Sequence, residues 1–113
     1  MSRIAAYQEN AVTTQSKGHV IVMLYDGAVR FLNQAIEAME AGDATRKGEL
    51  VSKAMDILNE LDTALDMDAG GEIASNLRSL YAFMRRHILQ GHTRNDPQMF
   101  RDVIGLLEEL NQA

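Results

Sequence analysis

The stretch Val20-Ile21-Val22-Met23-Leu24-Tyr25-Asp26-Gly27-Ala28-Val29-Arg30-Phe31-Leu32-Asn33-Gln34-Ala35-Ile36-Glu37-Ala38-Met39 decides the fold. Ile21, Leu24, Ala28, Phe31, Ala35 and Met39 recur by threes and fours, the period of one face of an α-helix. A second row, Val22, Tyr25, Val29, Leu32 and Ile36, runs beside the first at the same spacing. Two adjacent rows make an apolar face wide enough to touch more than one neighbour. Ser16 is a suitable N-cap and Gly42 a suitable C′ stop, so the reading predicts a helix over 16–41. At ~1.5 Å rise per residue it is on the order of 39 Å long.

Downstream, Asp43 can cap a second helix over 44–66, with Leu50, Ala54, Ile57, Leu61 and Ala64 facing inward. Gly70-Gly71 breaks the pattern, and Glu72 opens a third helix over 72–90 with a charge that suits its positive N-terminal end. Ile73, Leu77, Leu80, Met84 and Ile88 form its stripe, which stops near Gly91. Asp96-Pro97 is the clearest start signal, an N-cap acid followed by proline at the first helical position. The fourth helix, 97–112, carries Phe100, Val103, Leu107 and Leu110. Alternating strand patterns are absent. Four helices on short connections predict an all-α fold, an antiparallel up-down four-helix bundle over the single domain 1–113. Residues 1–15 form a separate N-terminal segment with a short helix around Arg3–Glu9.

Composition narrows the function classes. With 46% hydrophobic and 24% charged residues in 113, the chain has the make-up of one globular domain. It has no cysteine, which removes disulfides, cysteine zinc sites, iron–sulfur clusters and thiol nucleophiles. A net charge of −5 opposes a phosphate-tracking surface, so no nucleic-acid partner is expected. The longest wholly apolar run, Val20–Tyr25, is far too short to span a bilayer, and the N-terminus has no signal core. The expectation is a cytoplasmic protein with no membrane insertion.

Catalytic and metal chemistry lack their residues. A bundle di-iron centre needs Glu-x-x-His pairs, and Ser16, Met84 and Leu89 stand three before His19, His87 and His92. His87 and His92 do not share a helix face as zinc ligands do; exposed helix-end positions are expected. A calcium loop starting at Asp66 wants an oxygen ligand where Gly70 stands and glutamate where Leu77 stands. Asp62 and Asp66 read as a solvated helix face. Neither a cofactor nor a nucleophile with its base emerges, so the chain is read as no enzyme. Seven methionines suit both core filling and adaptable binding surfaces. Gly27 costs ~1 kcal/mol within a helix and admits a close backbone, that of another helix or of a bound partner.

Met23-Leu24-Tyr25-Asp26-Gly27-Ala28-Val29-Arg30-Phe31-Leu32 resembles the first long helix of the flagellar secretion chaperone family FliS. Gly70-Gly71-Glu72-Ile73-Ala74-Ser75-Asn76-Leu77, then Leu80-Tyr81 and Met84-Arg85-Arg86, is similar to that family's third helix. Asn95-Asp96 and Gly105-Leu106-Leu107-Glu108-Glu109-Leu110 also fit, and the order holds from Tyr7 to Leu110. Each motif alone is weak; together they are specific. Ser16-Lys17 departs from the family's frequent proline after that serine.

The resemblance implies an export chaperone that binds the C-terminal segment of flagellin, blocks premature polymerisation and serves the flagellar export apparatus. Some members also bind an anti-sigma factor, and a small helical regulatory or adaptor domain for such a partner is the alternative. A disordered client that folds on binding suits a small bundle with apolar residues to spare. The flagellin-binding residues expected are Ile4 and Tyr7 in the N-terminal segment, with Ile21, Leu24, Tyr25, Gly27 and Val29 on the first helix. The competing expectation is that Tyr25 and Val29 face the second helix.

Overall fold

Among the described residues the computed structural model has four helices, in the order α1 (Arg3–Glu40), α2 (Ala44–Thr63), α3 (Met67–Arg94) and α4 (Pro97–Gln112). It describes the backbone of residues 3–112 and the side chains of residues 18–112. Among the described residues there is no strand. α1 packs against α2 and α4, and α3 packs against the same two, so the helices stand at the corners of a square. This is the all-α bundle expected from the apolar periods.

The first turn shows how local chemistry sets the topology. Gly42 takes the left-handed conformation at φ 74. The Asp43 N–H then donates to the Ala38 carbonyl at 2.9 Å and the Gly42 N–H to the Met39 carbonyl at 3.2 Å, closing α1 with a Schellman motif. Asp43 at once caps α2, its Oδ1 accepting from the Arg46 N–H at 3.0 Å. A turn this short leaves α2 no direction but back along α1. Nothing lies within 4 Å of where a Cβ on Gly42 would stand, so Gly42→Ala tests the backbone alone. The expected cost is about 1 kcal/mol in urea unfolding, from the left-handed penalty of an L-residue.

Several boundaries fall elsewhere than the sequence suggests. Ser16 is no N-cap: α1 runs unbroken from Arg3 through Ser16 to Glu40, and residues 3–15 continue it rather than forming a separate segment. No glycine or proline precedes Gly18, so nothing there offers a better end than continuing the helix. α2 ends at Thr63, not Asp66, because Asp66 is used on the next helix. Its Oδ1 accepts from the Ala69 N–H at 3.0 Å, so α3 opens at Met67 rather than Glu72. The break expected at Gly70-Gly71 survives as a kink, with Gly71 at φ 52 and ψ −125. α3 does not stop at Gly91 either. It continues to Arg94 and ends on Asn95, left-handed at φ 57. Gly91 is a crossing point instead: a Cβ there would stand 2.9 Å from Met99 Cβ and 3.1 Å from the Phe100 ring. Asp96 starts α4 as read, accepting from the Gln98 N–H at 3.0 Å.

All four helices supply the core. Leu32, Leu50, Leu58, Leu61, Met84, Ile88, Phe100, Val103 and Leu107 are fully buried. Each contributes about 1.5–3 kcal/mol of apolar transfer. Met39, Met84 and Met99 are buried, so the core-filling reading holds for these methionines.

One buried cation braces the far end. Lys47 Nζ donates to the His92 carbonyl at 3.2 Å and to Asn95 Oδ1 at 2.8 Å. It thereby ties the first turns of α2 to the C-terminus of α3, where carbonyls lack helical partners and the dipole favours a positive charge. His92 Nδ1 is buried beside this brace without a partner. Burial, and then the Lys47 charge, hold His92 below its ordinary value of 6.5. The unfolded chain therefore takes up a proton before the folded one as pH falls below about 6.5. Stability from this group is complete above that pH and is lost as pH drops through the folded value. Urea midpoints from about pH 8 down to about pH 5 show the decline, and His92→Gln flattens it.

Candidate protein-binding surface

At 100° per residue, six consecutive apolar residues on a helix pass all the way round its axis. Val20–Tyr25 is such a run, so neighbours on one side of α1 cannot bury all of it. The register shows which members are left out. Gly27 faces α2, where a Cβ would stand 3.1 Å from Ile57 Cδ1. Counting along antiparallel α2 from Ile57, its last residue Thr63 comes level with Ile21. On the other flank Asn111 Nδ2 donates to Asp26 Oδ1 at 2.9 Å, which places the last turn of α4 beside Asp26. The run thus lies where both neighbours end. Val20, Val22 and Met23 are 49%, 41% and 58% exposed. At the same end, just beyond the Gly71 kink, Ile73 is 73% exposed, although its spacing places it in the α3 core stripe.

The expected site residues divide into two groups. Ile21, Leu24 and Val29 are half-buried and rest on the core, each leaving part of its surface in solvent. Tyr25 is only 7% exposed, and its hydroxyl bonds that of Tyr81 at 2.5 Å, across the diagonal from α1 to α3. Burial first, and then the Tyr25 hydroxyl, push the Tyr81 phenol well above its ordinary value. Gly27 is buried, and its close neighbour is a side chain of α2. The side chains of Ile4 and Tyr7 lie outside the described residues. The exposed set Val20, Val22, Met23 and Ile73 escaped the residue-by-residue reading. The length of the apolar run was the signal that could have found most of it.

Other chemistry in the molecule is sparse. Asp26, Val29, Glu108, Asn111 and Gln112 line an open hollow of about 380 Å³, mostly polar and unlike an enclosed apolar ligand pocket. Among the described residues no three histidine, aspartate or glutamate side chains converge as metal ligands. His87 is bound instead to Asp102, with Nε2 2.9 Å from Oδ2, and Gln98 Nε2 donates to Oδ1 of the same carboxylate at 2.9 Å. These contacts, the His87 bond first, lower the Asp102 carboxyl below its ordinary value. Asp62 accepts from Arg78 Nε at 3.1 Å. No helix among the described residues is long and apolar enough to cross a membrane.

Among the described residues the bundle leaves an apolar run in solvent at one end, a surface of the kind that protein-binding bundles use. Comparison with known proteins places it more narrowly. The profile of the family described as flagellar protein FliS matches residues 1–113. The flagellar secretion chaperone FliS of Salmonella typhimurium is 45% identical over 106 residues, covering 93% of this chain and 78% of that one. Its counterpart in Vibrio cholerae is 40% identical, covering 97% and 84%, and that of Bacillus subtilis 33%, covering 96% and 80%. The chain belongs to the FliS family.

Proposed function

We propose that this protein is a cytoplasmic export chaperone that acts by binding rather than catalysis, holding the C-terminal segment of flagellin until export. The observation that carries this reading is the exposed apolar run on α1, with Val20, Val22 and Met23 in solvent where α2 and α4 end. A monomeric subunit that polymerises through apolar helices needs such a surface covered, and a chaperone covers it with a surface of the same kind. The relatives' names, flagellar secretion chaperone, support the export role, and the family description supports its flagellar setting. Ile4 and Tyr7 belong to the same proposed surface on sequence grounds, and Ile21, Leu24 and Val29 form its floor. Tyr25 and Gly27 serve it indirectly, by fixing α1 against α3 and α2.

The test is a binding experiment. Purified protein mixed with flagellin gives a stable one-to-one complex by light scattering, and deleting the flagellin C-terminus abolishes it. Retention of the complex after that deletion overturns the reading. So does a complex formed with an anti-sigma factor and not with flagellin.

A further inference from the structure

The chain is acidic as a whole, yet its charge is unevenly placed. Between Arg78 and Arg101 stand five arginines and one acid, Asp96. α3 carries Arg78, Arg85, Arg86 and Arg94, and two large apolar side chains on the same helix, Phe83 and Leu89, are exposed. Arg78, Ala82, Arg85 and Leu89 repeat by threes and fours, and Arg86 and Phe83 extend that band around the outward face.

The arginines are not equally satisfied. Arg78 donates to Asp62 of α2. Seven residues on, the antiparallel register sets Arg85 opposite Met55, and Asp56, the α2 carboxylate at that level, forms no ion pair with it. Arg85 Nη1 is buried without a hydrogen-bond partner. A guanidinium nitrogen shielded from water and given no acceptor is costly, and a carboxylate is the group whose shape fits it. Arg86 stands exposed beside it. Arginines among exposed aromatic and aliphatic residues are the composition of an interface centre.

We infer that the outward α3 face around Arg85, with Phe83, Arg86 and Leu89, docks an acidic segment of a second protein. That segment presents carboxylates about one helical turn apart, for Arg85 and Arg86, and an apolar side chain for Leu89. A nucleic acid fits less well, because the basic band is short and the protein's overall charge repels a polyanion. The face lies away from the exposed run on α1, so both can be occupied at once.

The probe is a synthetic alanine-based helical peptide with two glutamates one turn apart beside a leucine. Its glutamine twin and a single-stranded oligonucleotide serve as comparisons. Titrated into the isotope-labelled full chain, the acidic peptide gives saturable shifts confined to α3 and the facing side of α2. Arg86→Glu weakens it about tenfold or more, as does raising salt from about 50 to about 300 mM. Arg86→Glu itself melts like the parent and keeps the flagellin complex, because Arg86 is exposed. Equal binding by the glutamine twin, tighter binding of the oligonucleotide, shifts on α1, or no saturable shifts would each overturn the proposal. Self-association of the free protein that Arg86→Glu abolishes would overturn it too, assigning the face to a second copy.

Discussion

Replacing Val22 and Met23 together with aspartate lowers affinity for the flagellin C-terminal segment about a hundredfold or more and leaves the fold intact. Each side chain, if covered by the client, contributes about 1.5–3 kcal/mol of apolar transfer, and a hundredfold is about 2.8 kcal/mol. Neither residue contributes to the core, because both stand in solvent where α2 and α4 end. The melting temperature therefore moves by no more than about 2 °C, as for ordinary surface changes. Calorimetry on the double variant and circular-dichroism melts separate the two effects. A variant that folds normally and binds as tightly as the parent would remove this end of α1 from the client surface.

Tyr25→Phe destabilises the protein by about 1–3 kcal/mol, because it leaves the Tyr81 hydroxyl buried without its partner. Tyr81 is fully packed, and water has no easy route to replace the lost bond. Removing both hydroxyls, in Tyr25→Phe with Tyr81→Phe, returns most of the loss, since no orphan polar atom then remains. The double-mutant cycle in urea reads the coupling directly. The same variants ask whether Tyr25 touches the client. If its part is to hold α1 to α3, the double variant binds flagellin as the parent does, although a hydroxyl is missing from the expected site.

The bundle was legible in the sequence because burial on a helix follows a simple period. Ala28, Leu32, Ala35, Ile36 and Met39 are buried as their spacing requires, and Asp43 and Asp96 cap the helices they precede. What was not legible depends on where neighbours end. Ile73 has the right spacing for the core and is exposed, because α3 bends at Gly71 just before it. Gly91 reads as a stop signal and is a crossing point, since a glycine's missing side chain serves a tight turn and a close approach alike. Ser16 reads as a cap, but the helix on either side of it is uninterrupted. Tyr25 could be placed on the right face of α1 from its spacing. Its bond to Tyr81, which lies on a helix that does not touch α1 along its backbone, could not.

The order of packing carries a kinetic consequence. Three of the four seams, α1 with α2, α2 with α3 and α3 with α4, join helices adjacent in the chain, and only the α1–α4 seam joins its two ends. Low average sequence separation of this kind makes for folding in microseconds to milliseconds. The closing seam is the exception. It must wait for the whole chain, because bringing distant segments together costs loop entropy before their contacts form. Local opening follows the same geography, and hydrogen exchange in α4 runs faster toward Asn111 than around the buried Val103 and Leu107. The segment last to settle borders the solvent-exposed valines, so a ligand that folds as it binds meets a yielding part of the bundle.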